Sequence, residues 1–197
     1  MRLIVVRHGV TDWNLAGRLQ GRTDIDLNAD GVRQIRALGR RLATLRIDRL
    51  FASPMRRATR TAMAIGEAHG RPLEVVDDLH EAHMGLWEGL TWDEIRAKYP
   101  DQLAARDQAG RGYKGHGGES IAEVSDRAGR FLERLKREAA GLTACVVTHA
   151  APGRHLIAHA TGDPAHHQLK LRNASLTILQ LGESGATVDC LDDVGHL

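Results

Sequence analysis

The chain alternates short apolar, β-branched runs with longer segments of helical periodicity, and this alternation is the strongest constraint on its fold. The first run, at residues 3–6, is apolar at successive positions, which is typical of a strand covered on both faces. Similar runs occur at 49–52, 73–76 and 144–148. Strands that alternate with helices predict a three-layer α/β/α sandwich around a mostly parallel sheet, with room for one antiparallel edge strand.

Helix-start signals separate the strands. A side chain that can accept a hydrogen bond precedes each of four helical segments, and in two cases a glutamate three residues later completes a capping box. The predicted starts are Asn28, Ser53 with Pro54, Thr91 with Glu94, and Ser120 with Glu123. The predicted helices cover 29–45, 54–69, a segment from 92 that Pro100 limits, 121 to about 140, and 152–160. The last predicted element is a hairpin of strands 175–181 and 187–191 with its turn at 182–185.

The composition favours one soluble domain without a polyanionic partner. The 197 residues are 42% hydrophobic, so a single domain over 1–197 can bury a core. The 27 Lys and Arg nearly balance 25 Asp and Glu, which argues against a nucleic-acid partner. The first apolar run meets Arg7 and His8 too early for a signal sequence, and no run spans a bilayer, so we expect a cytoplasmic protein without a membrane partner. Cys145 and Cys190 lack CxxC spacing, and we expect free thiols, with one disulfide as the alternative.

Charged and nucleophilic side chains follow four predicted strands, at the points where the strands end. In chain order they are Arg7 and His8, then Ser53 with Arg56 and Arg57, then His80 and Glu81, and last His149. The carboxyl ends of parallel strands meet at one edge of a sheet, so we expect these groups to lie close together. Phosphoryl transfer needs a nucleophile, cations around the phosphate oxygens and a proton donor for the leaving oxygen, and this set contains all three.

Ordered sequence blocks carry a family resemblance. They are RHGVTDWN at 7–14, GRLQG at 17–21, SPMRRATRTA at 53–62, LHEAHMGLWEG at 79–89, GGES at 117–120, VVTHA at 146–150 and LRNAS at 171–175. The sequence resembles the histidine phosphatase superfamily, which includes the cofactor-dependent phosphoglycerate mutases, and it is similar to the small phosphatases of that superfamily. The resemblance covers nearly the whole chain and implies the phosphoglycerate mutase-like fold.

The resemblance also implies a role for each matching side chain. His8 is the implied nucleophile, and Glu81 the implied general acid and later base. The implied phosphate-binding groups are Arg7, Asn14, Arg57, His149 and the backbone N–H of Ala150. Two positions depart from the family's usual pattern, because Val10 stands where a polar residue is frequent and Ala150 where a glycine often follows the histidine.

Elementary chemistry supports the same roles. A neutral imidazole is a nucleophile near pH 7, and a hydrogen bond from one ring nitrogen to a carbonyl leaves the other nitrogen free to attack. The planar fork of Arg7 or Arg57 matches pairs of phosphate oxygens, and a protonated His149 would add a further positive donor. Such a site neutralises the transferring group with protein charges alone, so we expect no metal ion and no cofactor.

Several candidates have competitors. Arg57 is preferred to Arg56, and Glu81 to Glu88, because of the family spacing. The histidine pairs that could suggest a metal site are His80 with His83 and His166 with His167. No cysteine or carboxylate frame accompanies either pair at ligand spacing, so we predict no metal site there.

The leading functional hypothesis is a phosphomonoesterase that acts on a small phosphorylated metabolite. A phosphoglycerate mutase and a non-catalytic phosphate-binding protein on the same fold are the alternatives, and the second is disfavoured because every proposed catalytic group is present. A homodimer is retained beside a monomer. The glycine-rich segment 110–118, from Gly110 to Gly118, is interpreted either as a flap that selects the non-phosphate part of the substrate or as a solvated connector; Arg111, Lys114 and His116 give it positive charge.

Overall fold

A computed structural model of the protein describes residues 1–182 and 185–197. Its strands are β1 (Arg2–Arg7), β2 (Arg49–Ala52), β3 (Leu73–Val75), β4 (Thr143–Thr148), β5 (Leu176–Gly182) and β6 (Gly185–Asp193). They form one six-stranded sheet in the order β3-β2-β4-β1-β5-β6. Helices flank this sheet, which confirms the predicted α/β/α sandwich.

The sheet is parallel over four neighbouring strands and antiparallel on one side. The parallel pairs are β1 with β4, β4 with β2, and β2 with β3. Strand β5 runs antiparallel to β1, and β6 runs antiparallel to β5. The expected antiparallel strand therefore exists, but it lies inside the sheet, because its hairpin partner β6 covers its outer side. The predicted turn at 182–185 includes residues 183–184, which lie outside the described residues.

Helices cover both faces of the sheet. They are α1 (Asp12–Leu15), α2 (Ala29–Leu42), α3 (Arg56–Gly66), α4 (Trp92–Lys98), α5 (Pro100–Ala109), α6 (Ile121–Glu138) and α7 (Ala150–Thr161). In β1, Leu3 and Val5 belong to a buried cluster with residues of α6 and α7 such as Phe131. The alternate residues Ile4 and Val6 belong to a second cluster with residues of α2 and α3. Both faces of β1 are thus covered, which explains its unbroken apolar sequence.

The start of α3 differs from the prediction. The helix begins at Arg56 rather than at residue 54, and its N-cap is Met55, which makes no side-chain cap. Ser53, the predicted cap, instead places its hydroxyl 2.8 Å from Nε2 of His149. His149, the residue that follows β4, is thus the partner of the Ser53 hydroxyl in place of a helix N–H.

Helix α5 was not predicted. Pro100 ends the preceding helix, as expected, but it also occupies the first turn of a new helix, where its missing N–H costs nothing. Smaller differences occur at other ends, since α2 ends at Leu42 rather than residue 45 and α7 begins at Ala150 rather than residue 152. Both capping boxes form as predicted.

Close packing between α2 and the loop after β1 gives a stability prediction. The Val10 N–H donates to Oε1 of Gln34 at 2.8 Å, and a β-carbon at Gly31 would overlap the Val10 carbonyl oxygen. We expect Gly31→Ala to lower the free energy of unfolding by about 1–3 kcal/mol, because the helix must move away from the loop. Chemical denaturation measures this loss. Gly112→Ala is the control, since its β-carbon would meet no atom within 4 Å, and an equal loss in both variants would contradict the steric reason.

Neither a membrane span nor a reactive thiol is found in the described part of the chain. No helix in residues 1–182 and 185–197 is both long and apolar enough to cross a membrane. Cys145 and Cys190 are free thiols, as expected. Burial raises the pKa of the Cys145 thiol to about 12, so this group stays protonated and unreactive.

Candidate active site

The predicted site residues lie together at the carboxyl edge of the parallel strands. Arg7 at the end of β1 stands in register with Thr148 at the end of β4. The His8 N–H donates to the Thr148 carbonyl oxygen at 3.1 Å. The Thr148 hydroxyl donates to the Leu79 carbonyl oxygen at 2.8 Å, which ties the loop before Glu81 to the same edge. The parallel topology therefore brings these residues together as the strand pattern predicted.

His8 is held as a neutral imidazole with one free nitrogen. Its side chain is buried, and its Nδ1 lies 2.7 Å from the Gly9 carbonyl oxygen. A carbonyl oxygen only accepts, so Nδ1 carries the proton and Nε2 keeps its lone pair. Burial lowers the pKa of His8 well below its usual value, and the charges of Arg7 and Arg57 lower it further. The ring is therefore neutral at neutral pH, and its Nε2 can act as a nucleophile.

Arg57 and His149 form a hydrogen bond with each other next to His8. The Arg57 side chain is fully buried, and it donates to the carbonyl oxygens of Thr23 at 2.9 Å and Gly21 at 2.8 Å. Its Nε donates to Nδ1 of His149 at 3.3 Å. The rings of His149 and His8 lie 5.0 Å apart in an edge arrangement. The two carbonyl acceptors fix the guanidinium plane, so Arg57 is a pre-oriented cation beside His8.

The protonation state of His149 corrects an expectation from the sequence. Because Nδ1 accepts from Arg57, the ring proton lies on Nε2, which donates to the Ser53 hydroxyl oxygen at 2.8 Å. Burial lowers the pKa of His149 well below its usual value, and the charges of Arg57, His8 and Arg7 add to this effect. The positive His149 expected from the sequence is therefore wrong for this arrangement, in which the ring is a neutral donor.

Arg7 has unused hydrogen-bonding capacity. Its Nη1 donates to the Leu171 carbonyl oxygen. Its Nε is buried and has no partner among the described residues. Burial lowers the pKa of Arg7, while the nearby charges of Glu81 and Asp192 raise it. A half-buried guanidinium with an unpaired N–H is suited to bind an oxyanion.

Glu81 lies at the N-terminus of α7. Its carboxylate accepts from the backbone N–H groups of Ala82 at 2.9 Å, and of Ala150 and Ala151 at 3.2 Å each. The Ala150 N–H, expected to face the phosphate, is directed at Glu81 instead. The contacts hold the carboxylate at the rim between α7 and the cavity described below.

Asn14 shapes the loop after His8. As the third residue of the α1 capping box, its Oδ1 accepts from the backbone N–H and the hydroxyl of Thr11, at 3.1 and 3.2 Å. Its Oδ1 also accepts from Nδ2 of Asn173 at 3.1 Å, and Nδ2 of Asn173 in turn reaches the His8 carbonyl oxygen at 3.2 Å. Only the amide N–H groups of Asn14 are left for a phosphate contact.

The two competitors from the sequence have structural partners. Arg56 is exposed and pairs with Asp24, its Nε lying 3.0 Å from Oδ2. Glu88 accepts from the backbone N–H groups of Arg22, Thr23 and Met84 and from the Thr23 hydroxyl, all within 3.1 Å. Arg56 is therefore a surface ion-pair partner, and Glu88 is a structural hydrogen-bond acceptor.

A cavity of about 280 Å³ opens beside Glu81 and Ala150, and we call it the Glu81 cavity. Its aromatic lining residues are Trp87, Trp92 and Tyr113, and its cationic ones are Arg106 and Arg154. Neither arginine is among the site residues predicted from the sequence. Arg106 lies on the unpredicted helix α5. Arg154 lies four residues after Ala150, so a helix that begins at Ala150 turns both residues to the same side.

Segment 110–118 packs against this cavity. The Tyr113 ring stacks on Trp87 at 5.7 Å, and the His116 ring meets the same indole edge-on at 4.8 Å. The positive charge expected for His116 is wrong, since it is 3% exposed and burial lowers its pKa. Lys114 points away and pairs with Glu123 at 2.7 Å. Tyr113 and His116 therefore form part of the cavity wall, while most other residues of the segment are exposed.

Known proteins are similar to this chain in sequence. The family described as histidine phosphatase superfamily (branch 1) matches residues 3–194. The metal-independent phosphoserine phosphatase of Arabidopsis thaliana is 36% identical over 99% of this chain and 82% of its own. A protein of Serratia proteamaculans named probable phosphoglycerate mutase is 34% identical over 100% of this chain and 95% of its own.

A solved structure gives the same result. The mycobacterial glucosyl-3-phosphoglycerate phosphatase in complex with VO3 superposes with a TM-score of 0.85 at 31% identity, over 97% of this chain and 98% of that one. The family match covers nearly every residue, and the neighbour shares the sandwich described above. The chain therefore belongs to branch 1 of the histidine phosphatase superfamily.

Proposed function

We propose that the protein hydrolyses a small phosphorylated metabolite through a phosphohistidine on His8. It is a phosphoric monoester hydrolase of the histidine phosphatase superfamily. The observation that carries the His8 assignment is the hydrogen bond between its Nδ1 and the Gly9 carbonyl oxygen. It leaves Nε2 as a free nucleophile beside the buried Arg57 and the half-buried Arg7.

The first half-reaction uses His8, Glu81 and the buried cations. The Nε2 lone pair of His8 attacks phosphorus, and the bond between phosphorus and the ester oxygen breaks. The electron pair leaves with the alkoxide, which takes a proton from the carboxylic acid of Glu81. Arg7 and Arg57 offset the charge on the phosphate oxygens, and the side-chain amide of Asn14 supplies a neutral donor. His149 supplies a second neutral donor when its Nε2–H leaves the Ser53 hydroxyl for a phosphate oxygen.

The second half-reaction returns the enzyme to its starting state. The Glu81 carboxylate takes a proton from water as the water oxygen attacks phosphohistidine. The bond between phosphorus and Nε2 breaks, inorganic phosphate leaves, and His8 is neutral again. If a metabolite hydroxyl replaced water, the same steps would describe a mutase, and the name of the Serratia relative keeps that second candidate.

A trapping experiment tests this proposal. The protein is mixed rapidly with a ³²P-labelled phosphomonoester and quenched in alkali, because phosphohistidine is labile in acid. We expect label on the peptide that contains His8. Turnover without label at His8 under single-turnover conditions would contradict the proposed nucleophile.

A product assay separates hydrolase from mutase. Phosphoserine, glucosyl-3-phosphoglycerate, α-ribazole phosphate and 3-phosphoglycerate are each supplied with and without a bisphosphoglycerate. We expect inorganic phosphate to account for the substrate consumed. Isomerised phosphoglycerate formed faster than phosphate would establish the mutase instead.

Chelation should leave activity intact. Because Arg7 and Arg57 supply the charge that a metal ion would otherwise supply, we expect turnover in EDTA within about twofold of the untreated rate. Vanadate should compete with substrate, since it resembles the transferring group. Loss of activity in EDTA that Mg²⁺ or Zn²⁺ restores would contradict the metal-independent mechanism.

Three wider expectations are part of the proposal. We propose that residues 1–197 act as one catalytic domain, that the protein is cytoplasmic, and that a homodimer is one of its assembly states. Limited proteolysis, fluorescence microscopy of a tagged protein and sedimentation velocity test them in that order.

A further inference from the structure

A second cavity of about 320 Å³ lies beside the Glu81 cavity. The two share four lining residues, which are Arg106, Gly110, Ile121 and Arg154. The shared residues show that the two cavities adjoin. We call the second space the arginine-histidine cavity, after Arg106, Arg111, Arg154, His155 and His167 in its lining.

The lining of the arginine-histidine cavity is strongly cationic. Within residues 1–182 and 185–197, none of its three arginines forms an ion pair with a carboxylate; Arg106 lies over the Trp92 ring at 5.1 Å. Asp107, which also lines the cavity, is exposed. Nearby Lys114, in contrast, pairs with Glu123 at 2.7 Å. Unpaired arginines around a concave space are the usual signature of an anion site.

Two buried nitrogens in the lining also lack partners. His155 is 1% exposed, and its Nδ1 lies 2.6 Å from Nδ1 of His167. Its Nε2 has no hydrogen-bond partner among the described residues, and the same holds for the buried Nε of Arg154. Unpaired buried polar atoms are costly unless a ligand satisfies them.

The local electrostatics agree with this picture. Burial lowers the pKa of His155 to about 3, and the charges of Arg154 and Arg111 act in the same direction. Burial likewise lowers the pKa of His167, with contributions from Arg111 and Arg154. The cavity therefore has a positive potential that an anion would relieve.

We propose that the arginine-histidine cavity binds the distal anionic group of the substrate, a carboxylate or a phosphate, while the transferred phosphate lies at His8. This inference rests on the proposed function, because it assigns the second end of the same phosphomonoester. The aromatic wall of Trp87, Trp92 and Tyr113 lies along the Glu81 cavity and contacts the spacer between the two acidic ends. The substrate class is thus a phosphomonoester with a second acidic group at its far end.

Matched synthetic substrates test the proposal. Straight-chain carboxylic acids that carry a terminal phosphate ester are prepared at increasing chain lengths, each together with its methyl ester. The measured quantity is the ratio of kcat/KM for the acid to kcat/KM for the methyl ester. We expect the wild-type ratio to reach about tenfold to a hundredfold at one chain length, since a charged hydrogen-bonded pair is then made or lost. A second series with a terminal phosphonate and its neutral ester identifies which anion is preferred.

Arg111→Ala is the variant of choice, because Arg111 is exposed and lines the second cavity but not the first. We expect its ratio to fall towards one. Lys114→Ala is the matched control, since it removes a nearby cation that lines neither cavity, and it should keep the wild-type ratio. His155→Gln gives a second variant, and a fall in its ratio would support the same site independently.

The outcomes separate this inference from the proposed function. If the wild-type protein hydrolyses the methyl esters but shows a ratio near one at every length, the distal site is wrong and the phosphatase activity stands. If neither acids nor esters are hydrolysed, the proposed function fails. If added sulfate raises methyl-ester hydrolysis by the wild type but not by Arg111→Ala, while the ratio stays near one, the cavity binds a separate anion and the distal-group assignment is overturned.

Discussion

The His8→Ala variant is expected to lose about 10⁴-fold or more in kcat towards a small phosphomonoester. His8 provides the only nucleophilic nitrogen that the proposed mechanism uses, and its Nε2 is kept unprotonated by burial and by the charges of Arg7 and Arg57. Stopped-flow and steady-state assays of phosphate release measure the loss. The residual rate reflects positioning and charge without covalent catalysis.

A control separates loss of the nucleophile from loss of the fold. His80→Ala also removes an imidazole near the rim, but the Nδ1 of His80 lies 2.9 Å from the Asp77 carbonyl oxygen and has no role in the mechanism. We expect it to stay within about tenfold of the wild type. Normal turnover by His8→Ala, with an unchanged melting temperature, would show that another group attacks phosphorus.

The Glu81→Gln variant is expected to lose turnover in proportion to the basicity of the leaving group. An alkoxide needs a proton as the ester bond breaks, so we expect a loss of about 10²- to 10⁴-fold for an alkyl phosphate. A nitrophenolate needs little protonation, so its formation should be slowed far less. The measurement is a plot of log kcat/KM against leaving-group pKa, which should be steeper for the variant.

Glu88→Gln is the matched control for this prediction. Glu88 lies seven residues further along the same loop region, and its carboxylate accepts from three backbone N–H groups and the Thr23 hydroxyl. We expect a lower free energy of unfolding, by about 1–3 kcal/mol, and equal effects on both classes of substrate. Equal losses for both leaving groups in Glu81→Gln as well would assign Glu81 a structural role at the start of α7.

Local sequence signals predicted the elements that local interactions stabilise. The capping boxes at Thr91 and Ser120 form because each needs only residues within one helical turn. The prediction failed at Ser53, because its hydroxyl is hydrogen-bonded to His149, the residue that follows β4. It also missed α5, since residues 100–109 have no apolar periodicity that a core requires and none of them is buried.

The sequence by itself determined the α/β/α sandwich and the set of residues at the carboxyl edge of its parallel strands. The carboxyl ends of parallel strands lie at one edge of the sheet. The side chains that follow Val6, Ala52 and Val147 therefore lie close together for any conformation of the connecting loops. Only the tertiary structure decided that His149 is neutral, that the Ala150 N–H faces Glu81, and that Arg154 borders two cavities. These properties depend on burial and on partners distant in the chain, and a pKa or a hydrogen bond of that kind has no local sequence signal.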